Sequence, residues 1–152
     1  MKSTLKGFGV IALVAIIGFS MVACDNDSNG GVVQPQGPGS RNEPITLQEN
    51  NWHDGTITAA GQTMHFVFDV VAGTTYRFWV NDEYDGNFSK TLDVMGTLTL
   101  PDGRTLTWDD RWSYPETFTP TESGRVQVEL RALWDSGTGT FGIVFSTGIS
   151  RP

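Results

Sequence analysis

Between Pro44 and Ser150 the chain is cut at short intervals by turn-forming residues, and this punctuation limits the fold more than any other feature. The turns fall at Asp54-Gly55, Gly61-Gln62, Ala72-Gly73, Asp85-Gly86, Pro101-Asp102-Gly103, Ser123-Gly124 and Ser136-Gly137. The runs between them are rich in Thr, Val, Phe, Tyr and Trp, the residues that suit a pleated, half-buried surface. Several runs alternate. Met64, Phe66, Phe68 and Val70 face one way, with His65, Val67, Asp69 and Val71 opposite. Val126, Val128, Leu130 and Ala132 alternate with Arg125, Gln127, Glu129 and Arg131, a strand with one face in water. Phe141, Ile143 and Phe145 alternate in the same way with Thr140, Gly142, Val144 and Ser146. No stretch after Cys24 carries a helical stripe of useful length.

The pattern predicts an all-β domain of about eight strands, at 45–49, 55–60, 63–71, 74–81, 91–100, 104–108, 125–133 and 139–147, with a short further piece near 116–119. Antiparallel strands at this spacing fit a two-sheet β-sandwich of jelly-roll type, in which each sheet covers the apolar face of the other. A closed barrel is the alternative. There is no internal repeat.

The first 23 residues have a different character. Lys2 and Lys6 precede an uncharged run from Gly7 to Ala23, the layout of a secretory signal and short for a membrane-spanning helix. Cys24 follows, the only cysteine among 152 residues. Residues 21–24 (MVAC) resemble a bacterial lipobox, with Met21 where Leu is most common. That resemblance implies cleavage before Cys24 and lipidation of its thiol, hence a lipid anchor in a membrane of the bacterial cell envelope, outside the cytoplasm. An uncleaved signal anchor and an incidental cysteine are the competing readings. A lone thiol has no disulfide partner within the chain, which agrees with lipidation. Three acyl chains, at about 0.8 kcal/mol per buried CH₂, amount to a permanent anchor.

Residues 24–43 then form the lipidated Cys and a flexible tether, since 25–43 hold two valines among Gly, Pro, Ser, Asn and acids. Nineteen such residues span roughly 25 Å r.m.s.. The domain proper is expected over 44–150. Loss of the leader leaves 8 basic against 17 acidic residues, a net charge of −9 in place of −7. A chain this acidic argues against a nucleic-acid partner, because phosphate contacts need clustered Lys or Arg.

Four segments in order resemble the bacterial pre-peptidase C-terminal domain, a secreted β-sandwich module. They are 55–61 (GTITAAG), 66–76 (FVFDVVAGTTY), 98–103 (LTLPDG), and 118–130 (FTPTESGRVQVEL) followed by 136–141 (SGTGTF), within a match over roughly 52–147. The resemblance implies a non-catalytic module of the kind that accompanies secreted enzymes. Some members bind calcium and some bind polymers such as collagen or glycans. Ahead of the Pro-Asp-Gly turn the family often has Asp-Leu-Asp-Leu; here Asp93 keeps the first acid and Met95 replaces the second.

Candidate sites follow from residue chemistry. The acidic loop 81–87 (NDEYDGN) offers Asp82 and Asp85 on a sharp turn, as calcium requires, although the bidentate acid of an EF-hand is replaced by Leu92. A solvated hairpin turn is the plain alternative. Asp109 and Asp110 could join Asp93 in a calcium site of the family kind, or be charge at a strand end. The segment 108–114 (WDDRWSY) brings Trp108, Arg111, Trp112 and Tyr114 together, the mixture of rings and polar groups that sugar or peptide recognition uses. Packing over the open end of the sandwich is the competing reading. Trp79 is out of phase with Tyr76, Phe78 and Val80, which puts it on the opposite face as an exposed platform or a second-layer contact. Trp52 and Trp134 are expected to pack at the core edge.

The sequence offers no catalytic constellation. His53 and His65 are the only histidines, too few for most multi-His zinc sites. Neither G-x-S-x-G nor a Walker loop is present. Asp109 and Asp110 point apart on an extended chain, and His65 reads as a surface residue in mid-strand. Two functions remain: a lipid-anchored module binding a glycan or protein through the aromatic loop or an open sheet face, and a structural or accessory lipoprotein that binds another envelope protein.

Overall fold

The structure, a computed structural model, describes residues 37–82, 90–108, 115–135 and 137–152. Nine strands follow in order: β1 Ile45–Thr46, β2 His53–Ile57, β3 Thr63–Val70, β4 Tyr76–Asn81, β5 Val94–Thr99, β6 Thr105–Trp108, β7 Glu116–Phe118, β8 Gly124–Ala132 and β9 Gly139–Ser146. A single 3₁₀ turn, Leu133–Asp135, separates the last two. The strands form a five-stranded sheet in the order β1-β3-β8-β5-β6 and a four-stranded sheet in the order β2-β9-β4-β7. This is the expected all-β sandwich.

All pairings are antiparallel except one. β1 runs parallel to β3, with Ile45 beside Phe66 and Thr46 beside Val67. The departure from an all-antiparallel expectation has a simple cause. β1 is followed by β2 of the other sheet, so no hairpin ties it to its neighbour and its direction is free. Backbone bonds ahead of Pro44 also reach the sheet: Gly39 N–H donates to Glu43 O and His65 N–H donates to Gly39 O, both at 2.8 Å, so Gly39 lies at the β3 edge.

The alternation seen in the sequence sorts the side chains. Phe66, Phe68, Val126, Val128, Leu130 and Leu98 point from the larger sheet against Ile57, Phe78, Phe141 and Ile143 of the smaller one. Phe68 stacks on Phe145 with ring centroids 4.1 Å apart and lies 6.2 Å from Phe78. Two glycines make room for rings in this layer. A Cβ at Gly55 would lie 2.3 Å from the Phe141 ring, and one at Gly96 would lie 2.5 Å from Trp108.

The two outward faces differ. On the smaller sheet Trp79, Asn81, Val144 and Ser146 are buried although they point away from the core. Residues 147–152 lie against this face: Arg77 Nη1 donates to Gly148 O and Trp52 Nε1 to Pro152 O, each at 2.9 Å, and the Arg151 guanidinium sits 4.9 Å from the Trp52 ring centre. On the larger sheet only His65 and Val67, beside the N-terminal segment, are buried. The rest of that face is half-buried or exposed among the described residues.

Candidate functional site

The open face is built by the register of β8 with its neighbours. Arg125, Gln127, Glu129 and Arg131 point outward, opposite Asp69, Val67, His65 and Thr63 on β3. On the other flank Gln127, Glu129 and Arg131 face Thr99, Thr97 and Met95 of β5. Thr97 and Thr99 in turn pair with Thr107 and Thr105 of β6. One polar row therefore crosses the sheet as His65, Glu129, Thr97 and Thr107, with side chains of neighbouring strands about 5 Å apart.

Two hollows share Glu129 as a common wall. One, of about 410 Å³, lies among Arg41, His65, Arg125, Gln127 and Glu129. The other, of about 300 Å³, lies among Thr63, Met95, Thr97, Thr107, Glu129 and Arg131. The two flank β8 on either side of Glu129 and are together called the trench. From Arg125 to Arg131 it runs about 20 Å at roughly 3.4 Å per residue.

Charge in the trench is compensated locally. Arg125 Nε lies 3.4 Å from Asp69 Oδ1, and His65 Nδ1 faces Glu129 Oε1 at 3.7 Å. Arg131 Nη1 donates to both carboxylate oxygens of Asp135, at 2.9 and 2.7 Å. Burial pushes the His65 pKa down; the Glu129 carboxylate partly offsets this and Arg41 adds to it. The imidazole is thus neutral at pH 7, a hydrogen-bonding group in place of a charge.

The Arg131–Asp135 pair also fixes the turn after β8. Leu133 N–H donates to Asp93 O at 2.9 Å, and the next two residues adopt left-handed backbone, Trp134 at φ 58°, ψ 20° and Asp135 at φ 54°. Trp134 is 81% exposed. The expectation that it packs at the core edge is corrected. The local sequence gives no sign of this, because the exposure comes from the backbone reversal and the clamp on Asp135.

Other assigned residues fall elsewhere. Trp108 is 2% exposed, seated over Gly96 with its ring 5.4 Å from Phe78, so it is core and offers no face to a ligand. Trp79, 6% exposed, is a covered second-layer residue and not an open platform. His65, expected on the surface, is buried beside the N-terminal segment. Asp82 is buried and Asp93 half-buried, and no group of three or more His, Cys, Asp or Glu side chains suited to a metal occurs among the described residues. Cys24, Asp85, Asp109, Asp110, Arg111, Trp112 and Tyr114 lie outside the described residues. No helix among the described residues is long and apolar enough to cross a membrane.

Two sheets packed face to face, one outer face sheathed by the C-terminal residues and the other left open, define a β-sandwich domain with a polar trench on its exposed sheet. Its fold is that of the pre-peptidase C-terminal domain. The structure resembles that domain of the collagenase from Bacillus anthracis with a TM-score of 0.51 and 16% identity, over 74% of this chain and 97% of that one. It is also similar to PliG, a periplasmic inhibitor of g-type lysozyme, from Salmonella Typhimurium (TM-score 0.48, 11% identity, 67% of this chain and 96% of that one) and Aeromonas hydrophila (TM-score 0.47, 10% identity, 67% and 95%). No known family's sequence profile matches the chain, and no curated protein sequence does.

Proposed function

We propose that this protein is a lipid-anchored, non-catalytic module of the bacterial cell envelope that binds a glycan or a protein through the open face of its larger sheet. The observation that carries the reading is the trench along β8, a continuous run of outward-facing polar groups on a sheet whose other side is rigid core. The leader, Cys24 and the tether-like composition of 25–43 support the anchor. The resemblance to a module that accompanies enzymes supports a binding role without catalysis. Arg111, Trp112 and Tyr114 remain a second candidate surface on sequence grounds.

The test uses the full chain expressed in a bacterial host. Palmitate label and partition into a detergent phase are expected for the wild type and lost in Cys24→Ala. Equal partition of the variant would remove the lipid from the account. The purified lipoprotein is then passed over immobilised polysaccharides and envelope proteins; retention on neither class would remove the binding role.

A further inference from the structure

The open face carries more than a generic binding surface, because among the described residues a large exposed ring lies just past the end of β8. Trp134 lies two residues beyond the end of β8, and the carboxylate of the next residue is gripped by Arg131 of the trench wall. Among the described residues it is the only tryptophan left largely in solvent. A large aromatic this exposed, on backbone that disfavours an L side chain, is the kind of local outlier found at functional sites.

We propose that Trp134 and the adjoining trench form a subsite for a neutral, linear glycan. This rests on the reading of the trench as a binding surface and names its ligand class. The indole stacks on the C–H face of one sugar ring, burying apolar area where a pyranose has it. Arg131, Glu129, Thr97 and Thr107 then meet the hydroxyls of the following rings. The choice of a neutral ligand follows from the charges. Arg125 and Arg131 each face a carboxylate, and Arg41 lines the same hollow as Glu129, so the trench presents hydrogen-bonding groups without a strong field of one sign. The choice of a glycan over a protein follows from the floor. Threonine hydroxyls and paired charges line the hollow between β8 and β6, with Met95 its main apolar side chain, and the other hollow adds Pro44 and Val67 at its edge, whereas a protein interface centres on a desolvated apolar patch. A trench of about 20 Å accommodates several linked rings in extended form.

The experiment measures retention of the full-length lipoprotein, in detergent, on insoluble cellulose, chitin, xylan and mannan, with alginate and gelatin as anionic and protein comparators. At least one neutral glycan is expected to retain the protein. Trp134→Ala should weaken that retention by tenfold or more, Trp134→Tyr should keep most of it, and Thr107→Val should lose a few-fold, all with unchanged circular dichroism and unfolding temperature. A soluble oligosaccharide of the retaining glycan should shift the tryptophan emission of the wild type and leave Trp134→Ala unmoved. Retention that ignores Trp134→Ala, a preference for alginate, or no retention on any neutral glycan overturns the proposal. If gelatin or envelope proteins bind while the neutral glycans do not, the glycan subsite fails and the broader binding role stands. If no surface retains the protein, both fall.

Discussion

Three tryptophans show how differently one residue type is treated within this domain. Trp108 fills the space that Gly96 leaves open, so Trp108→Ala opens a cavity and should cost about 3–5 kcal/mol in urea unfolding. Trp134 is the reverse case. Left-handed backbone costs an L residue roughly 1–2 kcal/mol, and glycine escapes that penalty at the expense of a freer unfolded chain. Trp134→Gly is therefore expected to leave stability unchanged or raise it by up to about 1 kcal/mol while glycan retention is lost. A large destabilisation would mean that the ring packs against the domain. Alternation correctly placed Trp79 opposite Tyr76, Phe78 and Val80, but its burial depends on contacts from residues far along the chain. Side-chain direction is a local property with period two; cover is supplied from elsewhere. His65 differs from its expected exposure for the same reason, since Gly39 and its neighbours close over it.

Each strand was legible to within a few residues because turn residues and period-two patterning act locally. The short piece near 116–119 became β7. Sheet order and the parallel β1–β3 pair were not legible, since they depend on which distant edges meet. The β5–β6 hairpin illustrates a contact of that kind. At its Pro-Asp-Gly turn, Asp102 accepts from Arg104 Nε and Nη2 and from the backbone and hydroxyl of Thr121, while Arg104 also reaches Thr119 O. These donors hold the Asp102 carboxyl well below the usual carboxylate range, the Arg104 guanidinium first. A depressed folded-state pKa contributes stability in full above the unfolded-state value and loses it as pH falls through the folded value. Asp102→Asn should thus lower the melting temperature at pH 7, and the two proteins should converge in acid below about pH 4. A gap that stays constant down to pH 2 would assign the effect to shape instead of charge. Gly96→Ala tests the neighbouring layer: its Cβ would lie 2.4 Å from the Glu129 carbonyl oxygen, and a loss of about 1–3 kcal/mol is expected in the same urea assay.

For the molecule as a whole, the asymmetry between the two outer faces matters most. Removal of residues 148–152 strips the bonds from Arg77 and Trp52 and should uncover Trp79 and Val144. A cost of about 2 kcal/mol or more and a red shift in tryptophan emission are expected, since an apolar side chain of this size contributes roughly 1.5–3 kcal/mol on burial. No change in emission would show that other residues cover that face. The candidate site was only partly legible at this scale. The outward row Arg125 to Arg131 could be read directly from alternation, whereas the ring at its end could not, because a backbone reversal leaves no periodic trace.

The parallel pairing of β1 also has a mechanical meaning. Tension arriving through the chain ahead of Gly37 reaches Gly39 and β1 first, where a two-residue strand and the bonds at His65 and Leu47 hold the edge of the larger sheet. With so few bonds holding it, this edge is expected to give way before the two packed sheets separate. Under a pulling probe attached ahead of Gly37, the first rupture should release roughly ten residues, about 35 Å of chain. Arg41 belongs to the segment that peels and forms part of one trench wall. Peeling would then carry Arg41 away from the proposed binding face before the domain itself unfolds.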